Sequence, residues 1–195
     1  PIPPRHVLNG ILVDDLLTTT INPFSPAAIE DFSWSPFTIH KLSTSIFPST
    51  HNSDLPLIQK LLLFKNALNT PDSFILLLTT TQPLRDQMPI RHYRDWLLFL
   101  IHAARAHHSP LILLTPPANP AIPFETRRQY ILLTKEVAYL THTPIIDLYA
   151  ISFLDPPPAN PGPKLSDIPD TTFVTRFLLP HIHQQLLKIT GLQRP

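Results

Sequence analysis

The chain has 195 residues, 43% of them hydrophobic, with 15 Lys and Arg against 14 Asp and Glu and no run of like charge. A chain of this length buries roughly two-thirds to three-quarters of its unfolded surface, which suits one domain over residues 1–195, with 1–5 and 190–195 as loose ends. The even charge argues against the clustered basic surface that nucleic-acid binding requires, and the absence of Cys excludes a disulfide framework, Cys-based metal sites and a thiol nucleophile.

In chain order, "HVLNGILV" (6–13) is expected as a strand and "AAIEDF" (27–32) as a second. A helix follows from Leu55 to Leu68 by way of Ile58, Leu61, Leu62 and Lys65. "SFILLLTT" (73–80), "PLILLTPP" (110–117) and "PIIDLYA" (144–150) are continuous apolar runs, which predicts strands buried on both faces. Between them, Tyr93, Trp96, Leu97, Leu100, Ile101 and Ala104 make a helical stripe over 90–106, with Arg91, Arg94, Asp95, His102 and Arg105 on other faces. Tyr130, Leu133, Val137 and Leu140 make another over 125–141, with Arg127, Arg128, Lys135 and Glu136 mostly toward water. A last helix spans about 171–189, kinked or split at Pro180, which has no backbone N–H to donate. The β-α-β-α-β order implies a parallel sheet with right-handed crossovers and helices on both faces.

Several chemistries find no support. Glycine occurs only at Gly10, Gly162 and Gly191, so no phosphate-cradling loop can be written and no cofactor is expected. Among ten histidines, His107 and His108 are adjacent and His181-x-His183 lacks the i, i+4 spacing of a zinc helix, so no metal site is expected. Tyr93 and Trp96 read as core, Asp147 as a group satisfying backbone donors, and "RHYR" (91–94) and "TRR" (126–128) as solvated helix faces. No apolar run reaches the eighteen or so residues of a membrane span, and "PIPPRHVLNG" lacks a signal-peptide pattern, so an intracellular, cytoplasmic location is expected; Pro1 in place of Met leaves a removed leader open. Proline-rich "TPPANPAIP" (115–123) and "DPPPANPGPKLSD" (155–167) fall at strand exits, where open α/β sheets bind ligands.

The succession "PDSFILLLTTTQPL", "MPIRHYRDWLLFLIHAA", "SPLILLTPPANP", "TRRQYILLTKEVAYLTHTPIIDLYA" and "LSD" (165–167) resembles the SGNH (GDSL-type) hydrolases, and within them the isoamyl-acetate-hydrolysing esterases, over about residues 71–187. The resemblance implies a three-layer α/β/α sandwich around a parallel sheet of about five strands, flavodoxin-like in kind. "ILVDDLLT" (11–18) falls at the family's nucleophile block and "AAIEDFSWSPFT" (27–38) at its second block, with a shortened interval between them.

Family chemistry uses a serine nucleophile, glycine and asparagine oxyanion donors, and an Asp-x-x-His pair. Carried over by the resemblance, Asp15 stands at the serine, Asp31 near the glycine, and Thr79-Thr80-Thr81-Gln82 at the GxND block, so that Thr81 replaces the asparagine. In the last block Asp167 keeps its identity and Asp170 occupies the histidine position. Carboxylates gathered at one site raise at least one pKa or call for a cation; the outcome is either a general base poised near neutrality or a solvated acidic rim. Ser33, Ser35 and Thr18 to Thr20 lie near expected strand ends and His181 and His183 on the closing helix, but their spacing fits no nucleophile–base pair. Two functions follow as expectations. One is an esterase-like domain that has lost its catalytic set and serves as a non-catalytic binding or structural domain, with a small ester or similar molecule as its candidate ligand; the other is an active hydrolase of short acyl esters with a different arrangement. No nucleic acid is expected as a partner, and the oligomeric state is open.

Overall fold

The computed structural model describes residues 8–13, 29, 32–42, 46–48, 56–70, 73–79, 83–84, 86–116, 124–152 and 174–192. Five strands, β1 (Leu8–Val13), β2 (Phe37–Leu42), β3 (Ser73–Leu78), β4 (Leu111–Leu114) and β5 (Ile145–Ile146), pair in the order β2-β1-β3-β4-β5, all parallel. Parallel neighbours require crossovers, and the helices supply them. These are α1 (Leu57–Leu68), α2 (Ile90–Ala106) and α3 (Phe124–Leu140); a short α4 (Leu148–Ile151) follows β5, and a π-helical turn (Val174–Leu178) leads into α5 (Leu179–Ile189).

Because successive strand residues point to opposite faces, the sheet has two cores. Ile11, Val13, Ile75, Leu77, Leu111 and Leu113 pack under α1, α2 and α3. Leu12, Phe74, Leu76, Leu78, Ile112 and Leu114 pack against Leu178, Leu179, Ile182 and Leu186. The result is the expected α/β/α sandwich. Central β3 and β4 are buried along their whole length, as their unbroken apolar runs imply.

Gly10 sits on β1, between β2 and β3. Its register partners are Ile39 on β2 and Phe74 on β3, and the space a side chain would take is filled by theirs. Phe74 in turn meets Phe37 edge-to-face at 5.6 Å.

Four expectations need correction. The second strand is Phe37–Leu42, not 27–32, where Ile29 is helical. As an edge strand with exposed Thr38 and His40, it lacks the apolar run that marks the central strands. The last strand is only Ile145–Ile146, also at an edge, because the Asp147 side chain accepts from the Ala150 N–H at 3.1 Å and starts α4. On α1 the buried side is Lys60, Phe64, Ala67 and Leu68, while Ile58 and Leu62 are exposed. The stripe is rotated because Lys60 turns inward, its Nζ donating to the Phe47 carbonyl at 3.1 Å and its stem lying in the core. On α3, Arg127 is buried with its guanidinium 5.1 Å from the Tyr149 ring centre, whereas Leu140 is exposed.

Helix ends account for several histidines. α2 and α3 both close with a residue at positive φ, His108 (55°) and His142 (50°), and α5 closes with Gly191 (69°). In each case the next N–H reaches back five residues: Ser109 to Ala104, Thr143 to Ala138, and Leu192 to Leu187. This is the Schellman pattern, with histidine in two of its glycine positions. Pro180 lies in the first turn of α5, directly after the π-helical turn, so the segment divides there into two helical pieces as expected.

Candidate functional site

The chain winds from β1 outward to β2 and then crosses back to β3, so the winding reverses between β1 and β3. In open α/β sheets ligands bind outside the carboxyl ends of the strands at such a point. Val13 ends β1 paired with Leu77, and Leu78 ends β3, so the two strand ends stand side by side. Asp15, Asp31, Thr81, Asp167 and Asp170 lie outside the described residues. Thr79, Thr115 and Asp147 directly follow β3, β4 and β5 at the same end of the sheet.

Thr79, the first of the three threonines after β3, is fully buried. Its N–H and its Oγ1 both donate to the Leu114 carbonyl, at 2.9 and 3.0 Å. It therefore extends the β3–β4 ladder by one residue and has no hydroxyl proton to offer a substrate.

Thr115 does the same service at the end of β4. Its N–H donates to the Ile146 carbonyl, its Oγ1 donates to Asp147 Oδ1 at 2.9 Å, and it accepts from the Tyr149 N–H at 3.0 Å. Asp147 is further paired with Lys135 of α3. The carboxylate thus ties the β4 exit, the start of α4 and one crossover helix together, which is the structural role its sequence context suggested.

The helix histidines are engaged elsewhere. His183 Nε2 donates to the Ser35 carbonyl at 2.9 Å, and its ring meets Phe32, Trp34 and Phe37 edge-to-face at 5.9, 6.2 and 5.9 Å. Phe37 begins β2, so this aromatic box lies at the amino edge of the sheet, opposite the strand exits. Ser33 and Ser35 lie near a strand end, as expected, but it is the amino end of β2. His181 packs on Phe177 at 5.1 Å. Among the described residues no histidine hydrogen-bonds a hydroxyl, and no three His, Asp or Glu gather into a metal-binding group. Also among the described residues, no helix is long and apolar enough to cross a membrane.

Behind the β3 exit, Tyr93 and Thr134 share a buried hydroxyl–hydroxyl hydrogen bond of 2.6 Å, and Thr134 also donates to the Tyr130 carbonyl. The Tyr130 hydroxyl donates to the Met88 carbonyl, anchoring the approach to α2, and burial raises the pKa of its phenol above 10.0.

No family model and no curated protein matches the chain. Solved structures do. The crystal structure of TesA is similar with a TM-score of 0.60 at 14% identity, covering 91% of this chain and 97% of that one. A Bacteroides fragilis protein assigned as an acylhydrolase gives 0.58 at 16%, covering 95% and 91%. A catalytic mutant of Axe2, an acetylxylan esterase from Geobacillus stearothermophilus, gives 0.52 at 13%, covering 89% and 93%. At these identities the likeness concerns the fold alone, and the chain accordingly shares the α/β/α sandwich of these esterase and acylhydrolase structures.

Proposed function

We propose that this chain is an SGNH-type esterase-like domain that has lost the Ser-Gly-Asn-His set and holds a small ester or similar molecule without hydrolysing it. What supports this reading is the residue types in the four blocks of the family resemblance, which puts Asp15 at the serine, Asp31 near the glycine, Thr81 at the asparagine and Asp170 at the histidine, with only Asp167 keeping the family identity. Asp15 follows the end of β1 by two residues and Thr81 follows the end of β3 by three, at the exits where this fold binds ligands. A carboxylate is no substitute for a hydroxyl beside an imidazole, since it brings neither the proton relay nor the oxyanion donors of acyl transfer.

The surroundings support the same reading. Thr79 and Thr115 use their hydroxyl protons on a carbonyl and a carboxylate, and His181 and His183 use their rings in packing. The class of ligand is drawn from the fold and from the acyl and acetyl esters that the similar structures' names describe. The test is hydrolysis of a panel of p-nitrophenyl esters from acetate to butyrate by the purified chain, beside an Asp167→Asn variant and a buffer blank. Rates equal to the blank for both proteins agree with the proposal. Turnover well above the blank that falls in the variant establishes the alternative, a working hydrolase of short acyl esters.

A further inference from the structure

The carboxyl ends of α1, α2 and α5 meet at the amino end of the sheet, opposite the strand exits. With Ser73 at the start of β3 and Ser109 just before β4, they surround a cavity of about 670 Å³. That size lies within the roughly 300–1,000 Å³ of small-molecule sites. Leu68, Phe74, Ile112 and Ile189 supply its apolar lining, and Ile189 is left 38% exposed.

The polar groups of this cavity have their hydrogens already in use. The hydroxyls of Thr70, Ser73, Ser109 and Thr190 donate to the carbonyls of Asn66, Thr70, Leu68 and Leu186, at 3.2, 2.7, 2.7 and 2.7 Å. The backbone N–H groups of Asn69, Thr70, His107, His108, Ser109 and Thr190 likewise go to helix-end carbonyls, and Pro110 has none to give. His107 Nδ1 donates to Asn69 Oδ1 at 3.0 Å, so the neutral ring keeps Nε2 as an acceptor. Pro71 and Asp72, between Thr70 and Ser73, lie outside the described residues, and neither a proline nor an ionised carboxylate carries a side-chain donor.

What remains is a set of oxygen and nitrogen lone pairs, the hydroxyl oxygens made better acceptors by the bonds they donate. The Asn69 amide is a donor among them, and the His108 ring serves either way by tautomer. A partner must therefore bring hydrogens. An acceptor-only molecule finds little to pair with, and an ammonium group donates but cannot accept from the amide, whereas a hydroxyl does both. The preference follows from hydrogen-bond direction and not from charge.

We propose that this cavity binds a ring polyol, its hydroxyls donating to Ser73, Ser109, Thr190 and His107 and its ring carbons lying against Ile189. The site shares no residue with the strand-exit positions and stands whether or not the chain hydrolyses esters.

Amide chemical shifts of the intact, isotope-labelled chain test it, titrated with myo-inositol and with hexa-O-methyl-myo-inositol, which keeps the ring and the oxygens but has no hydrogen to donate. Inositol is expected to move the signals of Asn69, Ser73, His107 and Ser109 with a Kd of about 1–10 mM, and the ether to leave them in place. His107→Ala, at an exposed position, and Thr190→Val, with its Tm measured alongside, are each expected to weaken inositol by about threefold to tenfold. No movement of these signals at about 50 mM inositol, equal binding of the ether, or an unchanged inositol affinity in both variants would each overturn the proposal.

Discussion

Replacing Gly10 by alanine adds one methyl group at a crowded point of the sheet. That methyl would overlap Ile39 Cδ1 and lie 2.8 and 3.0 Å from Cζ and Cε2 of Phe74. Ordinary contact between carbons needs about 3.5–4.0 Å, so both neighbours must give way. Ile39 is half-buried on an edge strand and can swing its terminal methyl aside. Phe74 is 3% exposed, with Phe37 against its ring, so its displacement disturbs the core. Overpacking of this kind costs about 1–3 kcal/mol, partly offset by the roughly 0.5–1 kcal/mol gained when a strand glycine becomes alanine. A net loss of about 1–2 kcal/mol corresponds to a Tm lower by roughly 2–8 °C for a domain of this size. Urea unfolding followed by circular dichroism measures it, with the midpoint falling and the slope unchanged. Ile39→Val removes Cδ1 and thus one of the two clashes, so Gly10→Ala combined with Ile39→Val should be more stable than the sum of the single effects, by roughly 0.5–1.5 kcal/mol. A Gly10→Ala protein as stable as wild type, or additive single effects, would refute this packing.

His142→Gly should raise stability by about 0.5–1 kcal/mol, because a side chain at φ 50° in the αL cap of α3 costs roughly 1–2 kcal/mol that glycine avoids, less its greater freedom when unfolded; thermal unfolding reads it, and a fall in Tm would contradict the cap. Tyr130 titrates above its unfolded value of 10.0, so its contribution is complete below that pH and is lost as the pH rises through the folded pKa. Urea midpoints taken from pH 8 to pH 11 should therefore fall more steeply for wild type than for Tyr130→Phe, and parallel curves would speak against it.

The central strands were legible because burial on both faces demands unbroken apolar runs: "FILLL" and "LILL" can be little else. α2 was legible to the residue, since its apolar positions recur at helical spacing and prolines precede it. Edges were not. β2 alternates and contains His40 and Lys41, so it gives no apolar run, and β5 is cut short by a side-chain cap that only the fold brings together with Thr115. Long amphipathic side chains also misled: Lys60 and Arg127 are charged residues whose stems lie in the core. Of the candidate site, the sequence named the block positions through a family resemblance; it did not indicate that Thr79 and Thr115 would spend their hydroxyls on neighbouring strands, because both hydrogen bonds join residues more than thirty positions apart.

The most direct test asks whether the chain holds an activated hydroxyl at all. A fluorophosphonate transfers its phosphonyl group to such an oxygen with loss of fluoride, and intact-mass spectrometry detects the adduct. After incubation beside an active serine esterase as a positive control, the proposed loss of the catalytic set, with Asp15 in place of the serine, predicts an unmodified mass. An adduct that peptide mapping places on a serine or threonine would contradict it and establish a working nucleophile in this fold.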